Sequence, residues 1–276
     1  NPYSTLLYEV AVRQANLIAK WMLFGFIHGV MNTDNMQVVG ETIDYGPCAF
    51  LDTYQPDMVF SSIDHMGRYA FGNQPKIAQW NLICMGQALL PLISENKDSA
   101  ISQVKEVIDI YSSIYEEEWA KGMIAKLGFV KKIDGDIQIA QDLLHHMAKN
   151  DADFTLTFRR LCDLSIKSSD SDAHVRNLFG DSKEFDEWVI RWRSRLLIEG
   201  VGDTDRKSAM EAVNPAFIPR NHLVEEAIRD ALNQDFGLFE KLLKVYKEPF
   251  KYQPEFKHFM KPPLSHQKVH QTFCGT

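Results

Sequence analysis

An Asp-Asn pair stands in the run His28-Gly-Val-Met-Asn-Thr-Asp34-Asn35-Met36, and nine residues past the Asn a second Asp opens the run Thr42-Ile-Asp44-Tyr-Gly-Pro47. Mg²⁺ demands hard oxygen ligands and keeps several waters, so a protein need supply only one or two side chains beside a nucleotide's phosphates. Asn35 and Asp44 are of that type. A hairpin between them folds the chain back and can bring both to one point. Asp34 neighbours Asn35 but points elsewhere, which makes it a candidate to accept a proton from an attacking hydroxyl. Asn and Asp also populate ordinary turns. What lifts this set above a turn is the order of the elements around it: helix, loop, hairpin, Asp-Tyr-Gly.

Those elements are legible in the pattern. Residues 4–27 read as a helix, with Leu6, Leu7, Val10, Leu17, Ile18, Trp21 and Met22 near helical spacing and Ser4 or Thr5 able to cap the start. Two short β-type runs follow, Met36–Val39 and Thr42–Phe50, and Gly40-Glu41 between them suits a two-residue type II′ turn. This order matches the centre of a protein-kinase C-lobe. Residues 52–75, rich in Gly, Pro, Asp, Ser and Asn, read as an irregular loop beside the site.

Helical patterns dominate the rest. Ile77, Trp80, Cys84, Ala88 and Pro91 mark one face of a helix over about 76–92, and Asp98 can cap a longer one carrying Ile101, Val104, Ile108, Tyr111 and Ile114. Further helices are predicted at 136–149, 153–165, 183–199, 205–212, 221–233 and 235–246, with turns at Asp134-Gly135 and 168–172. The tail from Pro249 reads as an extended strap. The fold class is mainly α (α+β): a kinase-like C-lobe over 1–150 with a short active-site hairpin, then a helical extension over 151–276.

Composition narrows the function. The 276 residues carry a formal charge of −7 with no dense basic stretch, which argues against a nucleic-acid binder. The most apolar run, Leu17–Val30, is broken by Lys20 and His28 and is too short to span a bilayer, so no membrane partner is expected. Four scattered cysteines give neither a zinc ribbon nor a disulfide scaffold. A start without Met, with the Asp-Asn pair so close behind it, leads to the expectation of a fragment lacking an N-terminal nucleotide lobe and inactive alone.

The runs 28–36 and 42–47, with Gly67-Arg-Tyr69, Asn73-Gln-Pro75, Trp80-Asn-Leu82, Asn214-Pro215, Pro219-Arg-Asn221 and the terminal Thr-Phe-Cys-Gly-Thr276, resemble the selenoprotein O family. The resemblance implies a kinase-like fold whose activity is protein adenylylation, moving AMP from ATP onto Ser, Thr or Tyr hydroxyls of proteins. By the same resemblance Asp34 is the proton acceptor, while Asn35 and Asp44 bind Mg²⁺, with Mn²⁺ as a substitute. A kinase moving the γ-phosphoryl group and a non-catalytic pseudokinase are the alternatives. Ordinary kinases place the base at the third residue of His-x-Asp, where this chain has Val30. Cysteine rather than selenocysteine at 274 leans bacterial, hence cytoplasmic; a mitochondrial protein is the alternative. Bacterial relatives can pair that cysteine with one after Asp-Tyr-Gly; this chain has none between Leu51 and Ile83, so Cys274 is read as a free exposed thiol.

Other residues carry blander readings. His145-His146 reads as a solvated pair and Glu116–Glu118 as a solvated patch. Trp188 and Trp192 read as core, and Asn73, Gln74 and Trp80 as loop anchors and core. Arg68 is set to touch phosphate or to pair with a carboxylate. Asn221 is placed as an N-cap.

Overall fold

The structure is a computed structural model and describes residues 1–168, 172–180 and 182–273. It is mostly helical. The chain divides into two compact units: Asn1–Cys48, Pro56–Ala120 and Gln271–Thr276 form the first, Ala49–Gln55 and Lys121–His270 the second.

The first unit is built on α1 (Pro2–Phe24). The Asn1 side chain accepts the Tyr3 N–H, and Pro2 in the first turn loses no hydrogen bond there. Leu7, Val10, Ala11, Gln14, Ile18 and Trp21 recur at three and four and are buried. The helix stops at Gly25, short of residue 27, and Phe26–Ile27 are extended (β1). The apolar run through Ile27 is continuous, but the backbone turns out of it because Gly25 takes the left-handed cap.

The α2 helix (Gln74–Ile93) packs against α1. Its buried face is Gln74, Ala78, Asn81, Leu82 and Gly86, not the stripe from Ile77 to Pro91 expected from hydrophobicity. Trp80 is 43% exposed, which corrects its assignment to the core. Asn81 wins the inward position because its amide has a backbone carbonyl to reach, described below. The long α3 (Lys97–Lys126) is capped by Asn96, whose side-chain Oδ1 accepts the Ser99 N–H, and not by Asp98. It docks through Tyr111, whose hydroxyl donates to the Pro75 carbonyl at 2.9 Å, and Gln79, which donates to Ser112 at 2.8 Å.

The second unit starts with β2 (Ala49–Phe50) and continues in α4 (Asp136–Lys149), α5 (Phe154–Leu161), α6 (Ala173–Arg176), α7 (Lys183–Glu199), α8 (Asp203–Val213), α9 (Asn221–Leu232) and α10 (Gly237–Tyr246). The predicted helices agree within a few residues; α6 was not predicted. On α7 the rings of Phe185, Trp188 and Trp192 stack, with Phe179 against Phe185 at 4.2 Å between centroids. Both indoles are fully buried, and each N–H has an acceptor: Ile139 O for Trp188 and Leu127 O for Trp192. That satisfies the polar edge which makes a buried Trp costly. A second cluster joins Phe217, Leu223, Ala227, Leu242, Val245 and Phe259, so the tail after Pro249 is partly anchored in core and carries 3-10 turns at Pro254–Met260 and Ser265–Gln267.

Two motif residues act here as staples. Arg220, 1% exposed, holds Asp52 and Asp153 at 2.7 Å each and donates to the Met260 carbonyl. Asn221 is not the N-cap of α9; it lies one residue inside, and its amide pairs with both the N–H and the C=O of Phe50 at 3.1 and 2.9 Å. A planar amide matches a strand backbone donor for acceptor, and that use outcompetes capping. Asn214 donates to the Lys126 carbonyl.

Candidate active site

Asp34 and Asn35 lie in a 3-10 turn, Thr33–Asn35, inside the first unit. Asn35 donates its amide N–H to the Val30 carbonyl at 2.9 Å. With the nitrogen so fixed, Oδ1 has no hydrogen-bond partner among the described residues. Asp34 is exposed, and its carboxylate has no hydrogen-bond or ion-pair partner among the described residues.

The hairpin differs from expectation. Met36 and Thr42 form one antiparallel bridge, and the turn closes from the Gly40 N–H to the Gln37 carbonyl, with Val38 and Val39 at its tip. Gly40 thus ends the turn instead of opening a Gly40-Glu41 loop. It sits at φ +74°, and a Cβ there would lie 2.7 Å from the Arg13 Cβ. Helix α1 sets that turn in place: Gln14 donates to the Gln37 carbonyl at 2.6 Å and the Trp21 indole to the Thr42 hydroxyl at 3.0 Å. The bridge joins the segments that carry the candidate ligands, since Met36 directly follows Asn35 and Thr42 lies two residues before Asp44.

A second tie joins the same stretch of chain to the segment before Asp44. His28 is fully buried; its Nδ1 accepts the Val30 N–H at 3.3 Å, which leaves the proton on Nε2 to be donated to the Ile43 carbonyl at 2.8 Å. Burial holds the imidazole pKa below its usual value, with the Ile43 bond and the Asp44 charge pulling the other way. Gln74 at the start of α2 completes the anchor, accepting the His28 N–H and donating to the Phe26 carbonyl, both at 2.9 Å. Asn81 donates to the Met31 carbonyl at 3.0 Å. The Asp-bearing loop is therefore suspended from α2 by two side-chain amides.

Asp44 itself stands at φ +53°, a left-handed conformation that Asp tolerates better than most residues. Its carboxylate makes one long contact, 3.4 Å to the Gly46 N–H, and has no other hydrogen-bond or ion-pair partner among the described residues. Strain kept at a residue with free oxygens is a common mark of a functional position. Behind it, Gly29 at φ +85° approaches Pro47 so closely that a Cβ would meet the Pro47 carbonyl oxygen at 2.9 Å. That carbonyl accepts from the Thr272 hydroxyl at 2.5 Å, while the Thr272 N–H and C=O bond Phe60 and Ser62.

Two hard oxygen donors with open lone pairs suit a cation that takes its remaining ligands from phosphates and water. No group of three or more His, Cys, Asp or Glu that could hold a metal ion is present among the described residues. The Cys48 thiol, pushed up to about 11 by burial and then by the Asp44 charge, is a poor nucleophile. Cys274 lies outside the described residues.

His28, Asn81 and Thr272 carry the geometry, yet their supporting roles were not read from the sequence. A His bracketed by apolar residues just ahead of the loop was the available signal for the first. The other two reach partners dozens of residues away.

Among known proteins, a family model described as protein adenylyltransferase SelO matches residues 1–247. The chain is 52% identical over its full 276 residues to the protein nucleotidyltransferase YdiU of Rhodopseudomonas palustris (strain BisB5), covering 56% of that relative. It is 51% identical to the protein of the same name from Bradyrhizobium diazoefficiens, again over 276 residues and 56% of the relative. With the one from Rhizobium etli it shares 52% over 277 aligned residues and 55% of the relative. The chain belongs to the SelO family. It spans about half the length of these curated relatives. No helix among the described residues is long and apolar enough to cross a membrane.

Proposed function

We propose that the complete protein is a protein adenylyltransferase that moves AMP from ATP onto Ser, Thr or Tyr hydroxyls of other proteins. The observation that carries the reading is the antiparallel bridge between Met36 and Thr42, which ties the segment just after Asn35, its amide held on the Val30 carbonyl, to the segment just before Asp44, whose carboxylate has only the Gly46 contact among the described residues. Bound there, Mg²⁺ (or Mn²⁺) would supply charge neutralisation of the ATP phosphates. Asp34, free of partners beside Asn35, takes the proton of the attacking hydroxyl. The hydroxyl oxygen bonds to the α-phosphorus, the α–β bridging bond breaks, and pyrophosphate leaves.

Family membership and the relatives' names support nucleotidyl transfer over phosphorylation. In this reading residues 1–150 form a kinase-like C-lobe and 151–276 a helical extension, and the groups that orient the nucleotide lie in the part of the relatives' length the chain does not span. The setting that fits bacterial relatives is the cytoplasm. Incubating the full-length protein with ATP labelled at α or at γ tests the reaction, because only the transferred group stays on protein. Label from the α position supports AMP transfer; label from γ alone makes the protein a kinase.

A further inference from the structure

One cation close to the candidate loop has no role so far. The segment from Asp64 to Asn73 is locked by its own bonds: the Asp64 carboxylate accepts the Arg68 and Tyr69 N–H groups at 2.8 and 2.7 Å, and Asn73 donates to the Gly67 carbonyl at 2.8 Å. Tyr69 points inward, 8% exposed, and its hydroxyl donates to the Asn32 Oδ1 at 2.5 Å, two residues before Asp34. Arg68 points outward. Its guanidinium carbon lies 4.5 Å from the centroid of the Trp80 ring and 5.7 Å from that of Tyr69.

The guanidinium is held in place by rings, and its N–H groups have no hydrogen-bond or ion-pair partner among the described residues. Arg176, Arg191, Arg193, Arg195 and Arg220, by contrast, each pair with a carboxylate. In a chain of net charge −7, an arginine left unpaired and fixed on aromatic faces is a ready anion reader. Its surroundings are those of a protein-binding surface: Met66 is 92% exposed, Ile63 64% and Trp80 43%. The link to the loop runs through Asn32, two residues before Asp34, and not through Asn35 or Asp44.

We propose that Arg68, set on Trp80, binds an acidic side chain next to the acceptor hydroxyl of the protein substrate and so determines substrate choice. This rests on the reading of Asp34 as proton acceptor for a protein hydroxyl. Trp80 acts as a positioning residue by fixing the guanidinium plane.

The test uses the full-length protein and synthetic peptides with one Ser, Thr or Tyr flanked by Glu or by Lys, with ATP labelled at α and at γ in parallel. The wild type is expected to favour Glu-flanked peptides about tenfold or more in kcat/KM, chiefly through KM, as one charge-assisted contact provides. Arg68→Gln abolishes the preference and Arg68→Glu inverts it, with the KM for ATP unchanged. Trp80→Ala raises the KM for Glu-flanked peptides several-fold while kcat holds, and Trp80→Phe restores it. An Arg68→Glu protein with wild-type preference overturns the proposal, and so does a raised KM for ATP with peptide preference intact, which would make Arg68 a phosphate ligand. Transfer of α label without charge preference sinks the role of Arg68 and leaves AMP transfer standing. Preference inverted by Arg68→Glu but carried by γ label keeps that role and sinks AMP transfer; no transfer of either label overturns both.

Discussion

The His28 imidazole donates to the carbonyl oxygen of Ile43 at 2.8 Å, so a buried side chain at the head of one loop fixes the residue immediately before Asp44 in the other. The same ring accepts from Val30, whose carbonyl orients Asn35. One buried histidine therefore ties together the segments that carry both candidate metal ligands.

His28→Leu keeps the apolar bulk but orphans the Val30 N–H and the Ile43 carbonyl, a cost of about 1–3 kcal/mol. Urea melts should show that loss at pH 7.5. The folded-state pKa of His28 is held below its unfolded 6.5, so its contribution is present above pH 6.5 and is lost as pH falls from there through the folded value. The wild type should weaken over that acidic range, and His28→Leu should lack this component of the slope.

Gly29 and Gly200 separate strain from crowding. Both have positive φ, but a Cβ on Gly200 meets nothing within 4 Å while one on Gly29 meets Pro47. Gly200→Ala should cost about 1 kcal/mol. Gly29→Ala should cost more and should also reduce transfer by the full-length protein, since relief requires moving the Asp-Tyr-Gly-Pro47 turn. Equal melting shifts for the two variants would show that the close approach has no consequence.

In the second unit, Arg220→Met leaves Asp52 and Asp153 without their shared cation. Burial already pushes the Asp52 carboxyl upward and Arg220 opposes it. Removing one member of a buried ionic set costs about 3–5 kcal/mol. The urea midpoint should drop accordingly, whereas Glu248→Gln, which removes only the exposed Lys251 pair, should shift it by less than about 1 kcal/mol.

Lys126 is 3% exposed, lies 4.2 Å over the Phe158 ring, and has its pKa pulled down to about 7 by burial, against a smaller upward pull from Cys162. Its folded pKa lies below the unfolded 10.5, so the unfolded chain binds more protons between those values and stability rises with pH across about 7 to 10.5. Lys126→Met should remove that rise and stabilise the protein at pH 7, read from melts at pH 7 and 9.5.

Much of the helical scaffold was legible because its cause is local. The periodicity of 136–149 and 183–199 is the periodicity of α4 and α7, and the Trp188–Trp192 pair sits one turn apart on the buried face. What failed depended on remote partners. Trp80 outranks Asn81 in hydrophobicity, yet Asn81 faces inward because the Met31 carbonyl, 50 residues away, needs a donor. Asn221 looks like a cap and instead pairs with Phe50, 171 residues earlier. The candidate ligands Asn35 and Asp44 were legible by type and spacing. The bond that ties their segments together, His28 to Ile43, was not, since a lone histidine in an apolar run announces no partner.

The most direct test of Asp44 as a metal ligand is α-label transfer from ATP by the full-length protein carrying Asp44→Asn. Asn tolerates the left-handed backbone of Asp44 and can keep the contact to Gly46, so the melting temperature should not change. Asp44→Ala would add backbone strain and blur the result. Asp44→Asn is expected to fold like the wild type and to lose AMP transfer by about a hundredfold or more. Wild-type transfer by that variant would contradict the assignment of Asp44 as a metal ligand and, with it, the proposed site.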